Sequence, residues 1–224
     1  MGFLESLFGK KPSFEDRVWR TSALKLEDLI GRATDDAVND DVACLVVYHF
    51  SDTGDLLQSR FDEAGVVYER LKRPGTELLE NLPVRLGATA LGLLHSDEIP
   101  DEIQRGQGSR SFGASETPTQ VHLAEHFPIP SRDDHVLHLH ALLAPGSKFF
   151  CYVGLDEPWL AKMLGGSTRE LLDRLGMDDS EPLNHAMIGS ALRRAQQQLD
   201  ENRRHLEDYA RSCEEWMQSN VSES

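Results

Sequence analysis

The sequence predicts an open, mostly parallel α/β sheet with flanking helices, followed by a C-terminal helical hairpin with one long helix. Three observations carry that prediction. Residues 42–50, VACLVVYHF, form an unbroken apolar and β-branched run of the kind buried on both faces of a parallel sheet. Strand-like runs alternate with helix-like segments from there to Val153, as in successive βαβ units. Near the end of the chain His185, Leu192, Leu199, Leu206 and Cys213 recur every seven residues. Ile188, Ala195, Asn202, Tyr209 and Trp216 follow each of them by three, which makes a heptad seam along one long helix.

Residues 1–12 read as an amphipathic N-terminal segment. Phe3, Leu4, Leu7 and Phe8 share one face ahead of Lys10 and Lys11, a pattern suited to contact with a membrane surface, to a groove, or to capping the protein's own core. An α/β domain is expected over 13–158. From Ser13 to Asp36 the residues Phe14, Val18, Trp19, Leu24, Leu26 and Leu29-Ile30 recur roughly at helical spacing behind Pro12-Ser13, so the segment reads as one amphipathic helix. After the strand at 42–50, Ser51-Asp52 can cap a helix that Gly65 ends, and Val66 to Leu71 is the next strand. Residues 76–94 read as a short helix and then a strand, with Pro83 as the break. A polar loop is expected at about 96–119. Val121 to His126 is a strand ended by Pro128 and Pro130, Arg132 to Leu143 a helix, and Phe149 to Val153 a further buried strand. The helical hairpin is placed at 159–217 and a disordered tail at 218–224.

Hydrophobic residues make up 39% of the 224 and charged residues 27%, ordinary for a folded soluble domain. A net charge of −15 without a basic patch argues against nucleic acid as a partner. Cys44, Cys151 and Cys213 are far apart with no CxxC pair, consistent with buried thiols in a reducing compartment. No apolar run approaches the ~20 residues needed to span a bilayer. A cytoplasmic protein, with peripheral membrane contact through its first residues, is expected. Oligomeric state is not encoded in these patterns.

Chemistry-bearing motifs are few. No Gly-x-x-x-x-Gly-Lys-Ser/Thr loop and no Gly-x-Ser-x-Gly elbow occurs. The run His122-Leu123-Ala124-Glu125-His126 has the order of the inverted zinc peptidases, with His135, His138 and His140 close behind. Zinc ligation by the pair requires a helix. As a strand the run sets the two imidazoles ~13 Å apart. His122, His126, His135 and His138 are therefore metal candidates for a metal-dependent hydrolase, beside the preferred reading of hydrogen-bonded histidines at a sheet end. Asp52 and Asp55 near a strand end could meet a polar ligand, but read better as helix-start charges.

The C-terminal wording is more specific. Leu172-Asp173-Arg174-Leu175-Gly176-Met177 is followed by two aspartates, then Glu181-Pro182-Leu183 and His185, with Met187, Ile188, Ala191, Leu192, Ala195 and Gln196 after them. This stretch resembles the entry to the helical scaffold of the SecA preprotein translocase ATPases, over roughly residues 149–200. The preceding α/β part is laid out like that family's second RecA-like lobe. The resemblance implies a nucleotide-phosphate motif before the strand at 149. There this chain keeps Pro145-Gly146-Ser147 but lacks the arginines, whose loss in phosphoryl-transfer enzymes costs about 10³ to 10⁵ in rate.

The expectation is a degenerate, motor-less SecA-like protein without catalytic residues, cofactor or metal. It would act as a binding or structural accessory, with a protein partner in the translocation machinery. The long helix would present Leu192, Arg193, Leu199, Arg203, Leu206, Tyr209 and Trp216 to that partner. The alternatives are the histidine-rich metal-dependent hydrolase and a nucleotide-binding lobe without hydrolysis.

Overall fold

The computed structural model describes residues 13–39, 41–83, 91–100, 103, 111, 113–163, 181–183, 186–204 and 209–221. Six strands, β1 (Glu15–Trp19), β2 (Ala43–Tyr48), β3 (Tyr68–Leu71), β4 (Leu91–His95), β5 (Thr119–Leu123) and β6 (Lys148–Gly154), form one sheet in the order β1-β6-β5-β2-β4-β3. Every pairing is parallel. Helices α1 (Ser22–Ala37) and α2 (Ser51–Ala64) cover one face of this sheet. The other face carries α3 (Thr76–Glu80), α4 (Pro130–Leu137), α5 (Ala186–Asn202) and α6 (Cys213–Asn220). The alternating pattern predicts an open, mostly parallel α/β sheet, and the six strands form one that is parallel throughout.

The central strand β2 is buried at all six positions, as its continuous apolar run requires. Its residues alternate between the two cores: Leu45 and Val47 pack under α4 to α6, while Cys44, Val46 and Tyr48 pack under α1 and α2. In α1, Thr21 Oγ1 accepts the Leu24 amide at 3.3 Å, and Leu29, Ala33 and Ala37, four residues apart, line the buried side. Gly65 ends α2 in the left-handed conformation with φ 68°, which a side chain would strain.

Residues 13–36 are not one helix. Phe14 and Val18 fit a helical spacing, but the segment opens with β1, in which Asp16 and Val18 face one way and Arg17 and Trp19 the other. Arg17 lies over the Phe150 ring at 4.9 Å, and Trp19 Nε1 donates to Asp28 of α1. The partner that makes this a strand is β6, remote in sequence, with Asp16 beside Cys151 and Trp19 beside Gly154. The free edge of β1 is covered by an antiparallel bridge in which Val18 and Leu183 exchange both backbone hydrogen bonds, 3.1 and 2.9 Å. Part of the SecA-like turn therefore pins the sheet edge.

The heptad seam does not run along a single helix. α5 ends at Asn202, and the described chain resumes at Tyr209 before α6 begins behind the N-cap Ser212. Leu192, Leu199 and Trp216 are turned into the protein's own core, where they are 5%, 4% and 0% exposed. The Trp216 ring stands edge-on to Phe127 at 5.7 Å. These three side chains are thus not available to an outside helix, because the sheet needs their apolar area to cover its lower face. Tyr209 is 86% exposed. Arg193 bonds Asp134 at 2.6 Å and Arg203 bonds Asp200 at 3.0 Å, so both are committed to their own domain. Leu206, the N-terminal Phe3, Leu4, Leu7 and Phe8, the first arm of the hairpin, part of the polar loop and the last three residues of the tail lie outside the described residues. Residues 218–220 of the expected disordered tail are instead the last turn of α6. Among the described residues, no helix is long and apolar enough to cross a membrane.

Candidate functional site

In a parallel sheet the chain leaves each strand at its C-terminal end. Ligands bind there when neighbouring strands send their connections to opposite faces. β2 sends its chain to α2 on one face, and its neighbours β4 and β5 send theirs to the other. The crevice at the ends of β2 and β5 is about 190 Å³, bordered by Lys25, Phe50, Glu125, Glu157 and Cys213.

That crevice is furnished with the chain's own carboxylates. Glu125 Oε1 accepts the backbone amides of His49 and Phe50, at 2.8 and 3.3 Å, just ahead of α2. Asp156 Oδ1 accepts both the amide and the hydroxyl of Ser22, each at 2.7 Å, at the N-terminus of α1. The clamp depends on Gly154, where a Cβ would lie 2.7 to 2.8 Å from Ser22 and Asp156. Glu157 accepts Lys25 Nζ at 2.6 Å, the Gly154 amide at 2.9 Å and Trp159 Nε1 at 3.1 Å. Burial works against the Lys25 charge, but Glu157 and Glu125 outweigh it and hold the ammonium above its usual range. The C-terminal segment closes the mouth: Asp52 N donates to Arg211 O at 3.0 Å, and the Arg211 guanidinium pairs with Asp52.

Beneath this crevice, on the α4–α6 side, lies a buried polar chain. Asp133, in the first turn of α4, is 1% exposed and accepts four hydrogen bonds. Its Oδ1 takes the Phe127 amide and His49 Nε2, both at 3.0 Å; its Oδ2 takes His126 Nδ1 and Gln196 Nε2, both at 2.6 Å. His126 Nε2 reaches Asp16 Oδ1 on β1 at 3.0 Å, and His49 Nδ1 reaches Ser96 Oγ at 2.9 Å. Burial raises the Asp133 carboxyl, but the His126 charge and the hydrogen bonds from His126 and His49 overcome that and hold it below the carboxylate range. For His126 burial again opposes the charge. Cys151, Asp133 and Asp16 prevail, and the imidazolium is held well above the usual histidine range.

Ser96, His49 and Asp133 have the composition of a nucleophile triad, but each is at most 2% exposed. Their order is sealed from substrate, so the chain of bonds is structural wiring between the ends of β2 and β4 and α4. The accessible end is at His126 and Asp16, which line a cavity of about 250 Å³ together with Ser13, Phe14, Gly189 and Arg193. Cys151 Sγ lies beside them; the ligand-type atoms of Asp16, His126 and Cys151 are all within 4.8 Å of one another. Burial pushes the Cys151 thiol up to about 12.

The four histidine candidates are not brought together. His122 points to the α1 side, bonded to Tyr152 Oη at 2.9 Å and Asp36 at 2.8 Å, while His126 is wired to Asp133 and Asp16 on the opposite side. His135 is buried on α4 and His138 is exposed. β5 ends at Leu123, so His122 lies on the strand and His126 in the loop after it, and their opposite bonding keeps the two from sharing an ion. Among the described residues, only His126 of the set belongs to a group of three ligand-type side chains. Asp16, Asp133 and Cys151 carry no motif signal, since each acquires its role from strand register or helix packing.

No protein-family model matches the chain. Among curated proteins it is 35% identical over 69 residues to the protein translocase subunit SecA of Desulfotalea psychrophila, covering 29% of this chain and 8% of that protein. It is 36% identical over 56 residues to SecA of Thermus thermophilus, covering 25% of this chain and 5% of the relative. The similarity thus spans less than a tenth of the SecA proteins it matches. Among solved structures, the C-terminal part of the Fun30 ATPase domain aligns with a TM-score of 0.41 and 14% identity, covering 81% of this chain and 55% of that one.

Proposed function

We propose that this chain is a non-catalytic SecA-like protein that serves protein translocation as a binding or structural accessory, in the bacterial cytoplasm or at the cytoplasmic face of the membrane. The observation that carries the non-catalytic reading is the filling of the sheet's C-terminal edge by Glu125, Asp156 and Glu157. Helix N-termini and strand-end amides are where α/β proteins take phosphate groups. Here those amides already bond carboxylates. A phosphate entering the crevice meets like charges, which repel by roughly 1 to 4 kcal/mol per pair at about 4 Å in water or near a protein surface. The local SecA similarity supports a link to translocation.

The partner surface in this reading is the outward side of α5, with Arg194, Gln197, Gln198 and Glu201, continued by Tyr209. It replaces the buried seam as the accessible part of the SecA-like segment. A photo-crosslinking residue at Gln198 or at Tyr209 of the full-length protein, activated with host cytosol and membranes, tests it. Translocation components crosslinked from these positions, and not from exposed His140 elsewhere on the domain, are expected. Equal capture from all three sites, or none, overturns the partner reading. A thermal shift with ATP or ADP and Mg²⁺ tests the other half: no change is expected, and a concentration-dependent rise in Tm would refute it.

A further inference from the structure

The buried wiring around His126 has the layout of a metal centre, and it involves residues that the translocation reading does not use. Parallel pairing of β1 with β6 puts Asp16 directly beside Cys151, on the face covered by α4 and α5. The loop after β5 returns His126 to the same spot. Carboxylate, imidazole and thiol donor atoms then lie within 4.8 Å of one another. A metal-bound histidine characteristically donates its other ring N–H to a carboxylate, which fixes the ring and its tautomer. Asp133 does this at Nδ1, at 2.6 Å, and is itself held by the Phe127 amide, His49 and Gln196. The ring is thereby aimed with Nε2 toward Asp16 and Cys151.

Donor type selects the ion. A thiolate, an imidazole and one carboxylate suit Zn²⁺ and exclude the oxygen-demanding Ca²⁺ and Mg²⁺. Three protein ligands leave a tetrahedral ion one position short of closure. The cavity of about 250 Å³ adjoins Asp16 and His126 on the open side. Gly189 permits the approach of α5, since a Cβ there would lie 2.6 Å from Asp16 Oδ2.

We propose that Asp16, His126 and Cys151 bind one Zn²⁺ ion, with Asp133 positioning His126 and the fourth coordination site facing the cavity. On binding, the His126 Nε2–H and Cys151 Sγ–H bonds break, and both protons leave to solvent. His126 keeps its Nδ1–H toward Asp133. The thiolate and the Asp16 carboxylate together balance the two charges of the ion.

The test uses full-length protein stripped with a chelator and titrated with Zn²⁺ or with Co²⁺ as a spectroscopic stand-in. One equivalent of metal, release of about two protons per ion and a thiolate-to-cobalt charge-transfer band are expected. The band should vanish in Cys151→Ser and persist in His122→Gln and His138→Gln. Asp16→Asn, a near-isosteric change, should weaken binding, and Asp133→Asn should weaken it about 10- to 100-fold. Circular dichroism identifies a variant that has not folded, in which case Asp16→Asn carries the decision. Substoichiometric metal in the wild type overturns the proposal. So does a cobalt band that survives Cys151→Ser, or affinity unaffected by Asp16→Asn.

Discussion

Replacing Trp216 separates a chain in which the last helix belongs to the core from one in which it projects toward a partner. Trp216 has no exposed surface and packs edge-on against Phe127 beside Leu192, Leu199 and Met217 in the same core. Truncating a buried tryptophan to alanine costs about 3 to 5 kcal/mol through lost transfer energy and the cavity left behind. At about 2 to 4 °C per kcal/mol for a domain of this size, Trp216→Ala should lower Tm by roughly 6 to 20 °C. Trp216→Phe should behave differently. The indole Nε1 is buried with no hydrogen-bond partner among the described residues, and such a group costs about 1 to 3 kcal/mol. Phenylalanine removes that cost while keeping most of the ring, so its effect should fall within about 1.5 kcal/mol of wild type. Thermal and urea unfolding followed by circular dichroism measure both. An exposed seam position would instead change stability by only about 0.5 kcal/mol. A Trp216→Ala protein that melts with the wild type would therefore refute the packing of α6 against the sheet.

Three further outcomes follow from single groups. Asp133→Asn removes the charge facing the His126 imidazolium inside the core, and breaking a buried pair this way should cost about 3 to 5 kcal/mol in urea unfolding. Gly54→Ala would gain ~1 kcal/mol in an ordinary helix, but its Cβ would lie 2.3 to 2.9 Å from the Tyr48 ring, so a net loss of about 1 to 3 kcal/mol is expected from thermal unfolding. His95 accepts the Asp97 amide at Nδ1, at 3.1 Å, which requires the neutral ring. Burial depresses its pKa, more than Asp97 raises it. Its unfolded form binds the proton more readily, so its contribution is present above about pH 6.5 and is lost as pH falls through the folded value. The fall in urea midpoint between pH 7 and 5 should be shallower in His95→Gln, and an unchanged slope would remove His95 from the account.

The parts legible in the sequence are those whose cause is local. The VACLVVYHF run, the helix closed by Gly65, and the strand at Phe149 to Val153 each announce themselves because burial on two faces, or a left-handed cap, demands a residue pattern within a few positions. The same holds for the SecA-like wording around Glu181-Pro182-Leu183, which is a linear match. Where Phe14, Val18 and Trp19 suggest a helix, the deciding interaction is a row of hydrogen bonds to β6, and no local window contains it. The heptad seam fails for a related reason: seven-residue spacing states which positions are apolar, while the sheet decides that Leu199 and Trp216 reach it from two separate helices.

The candidate site divides in the same way. Sequence alone offered His126 together with His122, His135 and His138, through a histidine motif whose helical geometry the strand and the loop after it do not provide. Tertiary structure discarded its expected companions and supplied Asp16, Asp133 and Cys151. Strand register sets two of those beside each other, and the packing of α4 onto the strand ends brings in the third. Alternation, charge balance and the SecA-like stretch were fixed by composition and order along the chain. The neighbours of His126 were decided only when parallel pairing brought the first strand against the last, because side-chain chemistry at a site depends on distances that folding creates.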